Sequence, residues 1–400
     1  MTTPKARPSP FDKSFPADPY PLLAGYRAEC PVTRVLTPSG RPVWIVTRDA
    51  DVRAAFTDPR LSLQGDQDHS GPRRRALDVS LVNYDPPHHT RIRRLAVPWF
   101  TPQRVEAYRP VAEAVAAGLL ETLADRPVAD LMADFAHPFS FQVMCELFDL
   151  DPAVRGDLYT WVASVFPVRD REAATAGMDR LDAFFHELTR RRLAAPGDDV
   201  LSSILRAWDP AGGVEEREVV SLGASLLLAA YETTAQVIGM SLRELLTRPA
   251  DLAALRACPH ALPNAVDELL RFHPPGPFAT LRFASEDVPA GDAVIPAGAR
   301  VLLSIAAANR DPERHPDPDL LDLDRAGAAK HMTFGLGPHY CPGAPLARLE
   351  LGVALAAVLG RLPGITLVPG PARWRGNILN RGLAELLVRP HGEPPEERAW

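Results

Sequence analysis

The sequence predicts a mainly helical protein of the α+β class, in which small β-sheets accompany a large helical part. Between about residues 90 and 270, Ala, Leu, Val and Arg recur at three-to-four-residue spacing, which is typical of successive helices. From residue 274 onward, short apolar segments such as 301–303 lie between Gly and Pro, which favours strands and turns. The 46% apolar and 24% charged fractions of the 400 residues are those of a globular protein. Together these observations exclude a disordered, fibrous or membrane-embedded chain.

The N-terminal elements follow from local composition. Residues 1–21 mix Pro, Asp and Lys, which predicts an extended arm and no signal peptide or membrane anchor. The apolar run at 43–46 predicts a strand, and a helix is expected to follow at about 49–56. No linker separates the helix-rich and strand-rich parts, so we expect one large domain over residues 1–400, located in the cytoplasm.

The central helices are set by prolines and by one long apolar stretch. Residues 219–231 are the most apolar part of the chain, but they are too few to span a membrane. Glu residues before this stretch and Pro249 after it predict one helix of about thirty residues that crosses the interior. The other breaks between helices are expected at Pro98, Pro127, Pro152, Pro167, Pro196 and Pro210.

Charge and cysteine usage narrow the function classes. The formal net charge of −6 gives no global basic field, so no nucleic-acid partner is expected. The four cysteines lie far apart without a Cys-x-x-Cys pair, which is unlike a disulfide framework or a structural zinc site.

The chemistry-bearing segment is 334–348, Phe-Gly-Leu-Gly-Pro-His-Tyr-Cys-Pro-Gly-Ala-Pro-Leu-Ala-Arg. The glycines at 335, 337 and 343 predict a turn that other residues resist, and a helix is expected from Ala344. Such a loop can present the Cys341 sulfur to a planar cofactor. A lone cysteine is more commonly buried and inert, so the interpretation depends on the whole string.

That string resembles the haem-binding signature of the cytochrome P450 superfamily, Phe-Gly-x-Gly-x-x-x-Cys-x-Gly, and the resemblance extends from Trp44 to Leu383. It implies the mostly helical triangular-prism fold of that family, haem b as cofactor and Cys341 as the ligand of the iron. The remaining residues that it assigns to haem binding are Phe334, Gly335, Gly343, Ala229 and Ala230.

Two further motifs match the family in order. Ala229-Ala230-Tyr231-Glu232-Thr233 resembles the oxygen-activation motif, with Ala230 where relatives usually have Gly. The resemblance implies that Glu232 passes protons inward from water and that Thr233 hydrogen-bonds the bound dioxygen. The residue-level alternative is a threonine bonded to its own backbone and an acid that reaches solvent. Glu268-Leu-Leu-Arg271 matches Glu-x-x-Arg, and Arg325 matches its downstream partner; in the family all three are buried and structural.

A fourth motif, Asp85-Pro-Pro-His-His-Thr-Arg-Ile-Arg, resembles Asp-Pro-Pro-x-His-Thr-x-x-Arg. Its His89 and Arg93 share one helix face at i,i+4 spacing, and arginine suits the two haem carboxylates. The resemblance adds Arg282 and His339 as propionate ligands. His88, where relatives usually have an acid, is expected to be a solvated histidine.

The resemblance implies a monooxygenase that inserts one oxygen atom from O2 into an apolar substrate, a bacterial secondary metabolite. A coupling or desaturating enzyme and a non-catalytic haem sensor or electron carrier remain as alternatives. Electrons are expected from a separate ferredoxin and ferredoxin reductase, with Arg91, Arg94 and Arg348 as the docking patch, and the protein is expected to be a monomer. By position, the substrate pocket is expected at Leu81, Val82, Leu226, Phe278, Ala279, Ile378 and Leu379, each of which could equally be core packing.

Overall fold

The computed structural model describes residues 9–65, 75–78, 80–166, 170–376 and 378–392. The chain forms two compact units. Unit 1 consists of Met1–Asp66, Asp267–Cys341 and Arg373–Ala384, and unit 2 of Gln67–Val266, Pro342–Ala372 and Glu385–Trp400. The single domain expected over residues 1–400 stays a prediction.

Helices dominate the described residues, as the sequence predicts. They are α1 (Tyr20–Glu29), α2 (Asp49–Thr57), α3 (His88–Ala96), α4 (Pro102–Glu106), α5 (Arg109–Ala124), α6 (His137–Leu147), α7 (Pro152–Val165), α8 (Arg171–Ala194), α9 (Val200–Ala207), α10 (Glu216–Leu246), α11 (Pro249–Ala257), α12 (Leu262–Phe272), α13 (Ile305–Ala308) and α14 (Ala344–Arg361). Among the described residues, no helix combines the length and the apolarity needed to cross a membrane.

The strands are short. They are β1 (Val32–Leu36), β2 (Pro42–Val46), β3 (Leu61–Ser62), β4 (Ala129–Asp130), β5 (Arg282–Ala284), β6 (Val288–Ala290), β7 (Ala293–Ile295), β8 (Arg300–Leu303), β9 (Thr366–Leu367), β10 (Trp374–Gly376), β11 (Arg381–Leu383) and β12 (Leu387–Arg389). The predicted strand at 43–46, helix at 49–56 and strand at 301–303 are therefore confirmed.

Unit 1 is built on a five-stranded sheet of order β1-β2-β8-β5-β3. Strands β2 and β8 are parallel, with Ile45 opposite Leu302, and the other pairs are antiparallel. One face of the sheet packs against α2 through Val46, Leu303 and Phe56, all buried. Because these strands alternate or run continuously apolar, the sheet can bury both faces.

The N-terminal segment of unit 1 differs from the predicted extended arm. Residues 10–17 form successive turns, and α1 begins at Tyr20, inside the predicted arm. Phe15 is buried and its ring stacks on Phe278 with centroids 5.9 Å apart. The Arg381 guanidinium donates to the Pro16 carbonyl at 2.8 Å. These tertiary contacts fold the segment back, which its proline content alone does not indicate.

Unit 2 surrounds the 31-residue helix α10, which confirms the long helix expected before Pro249. Glu218 closes a capping box at its start by accepting from the Glu215 N–H at 2.9 Å. Helices α6, α8 and α14 pack around it. A small sheet of order β4-β12-β9 completes the unit, and β4 is a strand that the sequence analysis did not predict.

The proline breaks agree in part with the prediction. Pro152 lies in the first turn of α7, Pro98 lies in a 3-10 turn, and Pro210 begins another. Pro167 lies outside the described residues. The π-helical turn Met132–Ala136, directly before α6, was not predicted.

Candidate functional site

The loop before Cys341 is shaped by two glycines in unit 1. Gly335 and Gly337 have φ of +71° and +74°, a region that residues with a side chain rarely adopt. A Cβ on Gly337 would lie 3.2 Å from the Phe56 carbonyl oxygen, so the loop also approaches α2 too closely for a side chain. The Cys341 N–H donates to the Phe334 carbonyl at 2.9 Å and closes the loop. Its thiol is half-buried.

Gly343 does not adopt the turn conformation that the sequence predicted for it. Its φ is −80°, and it serves as the N-cap residue of α14. This conformation is open to other residues, so the turn depends on Gly335 and Gly337 and not on Gly343.

In unit 1, Arg282 and His339 supply cationic or proton-donating groups. The Arg282 guanidinium is buried, donates to the Leu61 carbonyl at 3.2 Å and lies 5.2 Å from the Phe56 ring centre. His339 ends the 3-10 turn Gly337–His339 and is half-buried. A buried guanidinium is costly unless an anion or several acceptors hold it, so this residue suits a carboxylate ligand.

In unit 2, His89 and Arg93 lie one turn apart on α3, as the i,i+4 spacing predicts. His89 is 1% exposed, and burial together with the Arg93 charge lowers the pKa of its imidazole to about 4. The imidazole is therefore neutral at pH 7 and can donate one hydrogen bond beside the Arg93 cation. This pair also suits a carboxylate.

Helix α10 presents one accessible face in an otherwise buried helix. Ala229 is exposed, and Leu226, Ala230 and Thr233 are half-buried, whereas the residues between them are largely buried. Leu226 and Thr233 are seven residues apart, and Ala229 and Ala230 each lie three or four residues from both, so the four positions share a face. The Thr233 hydroxyl donates to the Ala229 carbonyl at 2.7 Å, which is the backbone-bonded arrangement given above as the alternative.

Glu232 does not reach solvent, which contradicts the second half of that alternative. Its residue is 6% exposed, because α6 covers it. The Gln236 amide donates to its Oε1 at 3.2 Å, and Nδ1 of His137 lies 3.9 Å from its Oε2. The side chain is held inside unit 2 beside Thr233, the residue with the accessible hydroxyl.

Glu268, Arg271 and Arg325 form a buried cluster in unit 1. Glu268 accepts from Arg271 at 2.7 Å through both carboxylate oxygens and from Arg325 Nε at 3.0 Å. Burial opposes ionisation of Glu268, but the hydrogen bonds from Arg271, from the Asp322 N–H and from Arg325 outweigh it, so the pKa of this carboxyl lies below its usual range. The cluster is thus a charged structural element rather than part of a reacting site.

His88 is not the solvated residue that the sequence analysis expected. Its Nε2 lies 2.7 Å from Oε1 of Glu218, and its Nδ1 lies 3.0 Å from Nη2 of Arg91. The Tyr84 ring contacts it edge-on with centroids 4.6 Å apart. His88 therefore ties the start of α3 to the start of α10, a contact between residues 130 positions apart that spacing cannot reveal.

The residues expected to line a substrate pocket differ in burial. Leu81 and Val82, on the 3-10 turn Leu81–Asn83, are half-buried and exposed, and the adjacent Ser80 hydroxyl lies 3.4 Å from that of Ser225 on α10. In contrast, Phe278 is 3% exposed and belongs to the core of unit 1. This burial favours core packing, the alternative that the sequence left open for Phe278, and the substrate pocket stays a prediction. The remaining three differ in burial: Ala279 and Ile378 pack partly against core residues of unit 1, and Leu379 is exposed.

Sequence reasoning missed His137, Gln236 and Glu350. Gln236 follows Glu232 by four residues, so helical spacing could have indicated it. His137 lies 99 positions from Gln236 and carried no signal. Glu350 is fully buried in α14, and burial raises the pKa of its carboxyl well above its ordinary value, with the Ser140 hydroxyl opposing the shift.

The residues present fit a haem group, judged by the chemistry of the donors. Cys341 offers one accessible sulfur on a rigid loop. Arg282 with His339 in unit 1, and Arg93 with His89 in unit 2, offer cations and donors for carboxylates. Leu226, Ala229 and Ala230 make the accessible face of α10 largely apolar beside the hydroxyl of Thr233, as a porphyrin face and an organic substrate require.

The chain is similar to known proteins in sequence and in structure. A family model described as cytochrome P450 matches residues 260–363. The 6-deoxyerythronolide B hydroxylase of Saccharopolyspora erythraea is 38% identical over 95% of this chain and 98% of its own.

Two solved structures are similar over nearly the whole chain. The bacillaene polyketide synthase P450 PksS of Bacillus subtilis aligns with a TM-score of 0.90 at 30% identity, covering 96% of this chain and 100% of its own. CxnD, a P450 described as forming a C–S bond in chuangxinmycin biosynthesis, aligns with a TM-score of 0.87 at 32% identity, covering 95% and 96%.

Proposed function

The chain belongs to the cytochrome P450 family and is a P450 monooxygenase, and from that premise we propose that it inserts one oxygen atom from O2 into an apolar secondary metabolite, by hydroxylation or epoxidation. Its relatives are bacterial hydroxylases and epoxidases of secondary metabolism. The observation that carries the proposal is the Cys341 loop, closed by the Cys341–Phe334 hydrogen bond and turned by two left-handed glycines.

The proposed cofactor is haem b. Cys341 would hold the iron, and His89, Arg93, Arg282 and His339 would hold the two carboxylates. When bound, the haem supplies the activation of O2 and the oxidation of the substrate.

The chain's own residues supply position and protons. Glu232 is buried, and its neighbour Thr233 places a hydroxyl on the accessible face of α10. We assign Glu232 the role of holding a proton and Thr233 that of donating or accepting a hydrogen bond at this face. The apolar side chains of Leu226, Ala229 and Ala230 on the same face would orient the substrate and exclude water.

Spectroscopy of the reduced carbon-monoxide adduct tests the proposed ligand. Natural protein is expected to give the red-shifted band of thiolate-ligated haem, and Cys341→Ser is expected to lose it. Cys145→Ser is the matched control, because Cys145 is buried and burial raises the pKa of its thiol to about 12. A globin-like spectrum of the natural protein, or a band that survives Cys341→Ser, would overturn the assignment.

Product mass tests the reaction type. A library of polyketide, peptide and terpenoid compounds is first screened for the spin-state change that accompanies displacement of water from the iron. For each compound that responds, a product heavier by one oxygen atom supports insertion. The alternative, oxidative coupling or desaturation, is favoured by the similarity to CxnD, which is described as forming a C–S bond. This alternative predicts products without added oxygen.

We also propose a ferredoxin and its reductase as electron donors, docking on Arg91, Arg94 and Arg348 in unit 2. Arg91 and Arg94 are exposed on α3, and Arg348 is half-buried on α14. Reduction by a ferredoxin should slow at raised salt and in the Arg94→Glu variant, because exposed charges are screened. Reduction by dithionite should not change. Equal salt dependence with both reductants would contradict the docking patch.

A further inference from the structure

Glu232, the buried acid of unit 2, has two polar neighbours that lie outside its motif, His137 and Gln236. Nδ1 of His137 lies 3.9 Å from Oε2 of Glu232, and the Gln236 amide donates to Oε1 at 3.2 Å. Each carboxylate oxygen therefore has its own polar neighbour. Glu232 and Gln236 are buried, and the His137 side chain is 12% exposed.

His137 lies where the start of α6 packs closely on α10. His137 begins α6 directly after the π-helical turn Met132–Ala136. A Cβ on Gly239 of α10 would lie 2.1 Å from Met132 Sδ, so the missing side chain at Gly239 leaves room for Met132 to pack on α10. One helical turn earlier on α10, Gln236 then lies beneath the imidazole.

A second residue of α6 holds the same turn of α10. The Ser140 hydroxyl lies 3.2 Å from the Ala230 carbonyl oxygen and 3.1 Å from that of Tyr231, and can donate to either. The His137 ring also packs on the Tyr231 ring with centroids 5.4 Å apart. The first turn of α6 thus fixes both the backbone before Glu232 and its side chain.

Donor and acceptor geometry determines the state of the imidazole. The Gln236 Nε2 lies 3.5 Å from Nε2 of His137 and 3.2 Å from Oε1 of Glu232, so its two N–H groups can point one to each. An Nε2 that accepts from Gln236 leaves Nδ1, the nitrogen nearest Oε2 of Glu232, as the ring nitrogen that carries a proton.

We propose that His137 is a positioning residue for Glu232, which it restrains through the electrostatic contact between a proton-bearing Nδ1 and Oε2, while Gln236 bonds to Oε1. The inference rests on the proposed function of Glu232. A carboxylate bonded by Gln236 at Oε1 and bordered by His137 at Oε2 keeps one orientation toward the Thr233 side of α10, and proton delivery depends on such orientation. Without the His137 contact, Glu232 would turn more freely, and a larger share of the O2 consumed would be released as peroxide, which takes two electrons and two protons, instead of water, which takes four of each.

Two variants separate this role from simple packing. His137→Phe keeps a ring against Tyr231 and removes both nitrogens. His137→Asn loses the ring but keeps an N–H close to the position of Nδ1. If His137 holds Glu232, Asn rescues and Phe does not; if it only fills space, the order reverses. His186→Asn is the matched control, because His186 lies 3.8 Å from Asp182 on exposed α8.

The first measurement needs no organic substrate. Holoenzyme is supplied with NADPH, a surrogate ferredoxin and its reductase, and peroxide released is divided by NADPH oxidised. Two electrons and two protons convert O2 to peroxide and four of each convert it to water, so peroxide per NADPH reports the share of O2 that stops at the two-electron product. We expect the ratio of peroxide to water to rise on the order of tenfold in His137→Phe, with near-natural values in His137→Asn and His186→Asn. An unchanged ratio in His137→Phe would overturn the proposal.

The second measurement is independent of turnover, and its main result comes from the natural protein. The 15N spectrum of histidine-labelled natural holoenzyme, in its diamagnetic ferrous carbon-monoxide state, distinguishes the two neutral tautomers, and His137→Phe identifies the signals. The Nδ1–H tautomer is expected, and it should be lost in Gln236→Leu. An Nε2–H tautomer in the natural protein refutes the inference. Failure of the Cys341 assignment would appear instead in the carbon-monoxide spectrum, so the two failures are distinguishable.

Discussion

Replacing Glu268 by Gln should test the buried cluster of unit 1 most directly. Oε1 of Glu268 accepts from Arg271 Nη2 at 2.7 Å and from the Asp322 N–H and Arg325 Nε at 3.0 Å. Oε2 accepts from Arg271 Nε at 2.7 Å. A glutamine oxygen can keep the three bonds at Oε1. Its NH2 group then faces the Arg271 Nε–H, so one bond becomes a contact between two donors.

The larger loss in Glu268→Gln is electrostatic. Arg271 is fully buried and Arg325 is 7% exposed, so two guanidinium groups lose their shared anion without gaining water. Removing one partner of a buried ion pair costs about 3–5 kcal/mol of unfolding free energy. Because domains are stable by only about 5–15 kcal/mol, the variant should unfold at much lower denaturant concentration.

The assay is urea unfolding of holoprotein, followed by tryptophan fluorescence and by haem absorbance. Glu187→Gln is the control, because Glu187 pairs with Arg190 at the same i,i+3 spacing on the exposed surface of α8, and no measurable change is expected. A loss below about 1 kcal/mol in Glu268→Gln would refute the argument, since the buried charge would then be replaceable at little cost.

The pH dependence gives the same prediction a second test. The pKa of Glu268 is lower in the folded protein than the value of about 4.3 expected when unfolded. Its stabilising contribution is therefore complete above that value and is lost as the pH falls through the folded pKa. The stability difference between natural protein and Glu268→Gln should persist from pH 7 to about pH 4.3 and shrink below it.

Three further predictions follow from single residues. Glu350→Gln should stabilise the protein more at pH 7 than at pH 4, as measured by urea unfolding. Burial raises the pKa of Glu350 in the folded protein, so the natural carboxyl lowers the free energy of unfolding as the pH rises above its unfolded pKa. A pH-independent effect would contradict this. Pro342→Leu should raise the reduction potential of the haem in a redox titration, because the leucine supplies a backbone N–H that can hydrogen-bond the Cys341 sulfur. An equal or lower potential in the variant would contradict this effect of Pro342. Gly337→Ala should destabilise the protein by about 1–2 kcal/mol, because Gly337 has a positive φ. Gly360→Ala should stabilise it by about 0.5–1 kcal/mol, because Gly360 lies in α14 with no atom within 4 Å of an added Cβ. Equal shifts of the two variants in thermal unfolding would refute the conformational role given to Gly337.

Much of the fold was predictable because it is encoded locally. The 31 residues of α10 follow from an apolar stretch with acids before it and Pro249 after it. The strand at β2 and the left-handed Gly335 and Gly337 also follow from residues within a few positions. The turns at residues 10–17 were mispredicted, because the burial of Phe15 depends on a partner more than 250 residues away.

The sequence by itself determined the family, the cysteine that would hold iron, and the pairing of Glu268 with Arg271, because motif spacing places those side chains along one loop or one helix face. Only the tertiary structure decided that Phe278 packs in a core and that His88 binds Glu218. It also decided that His137 lies against Glu232. These contacts join residues far apart in the chain, and their geometry is set by how helices pack, which the order of residues along any one element does not specify.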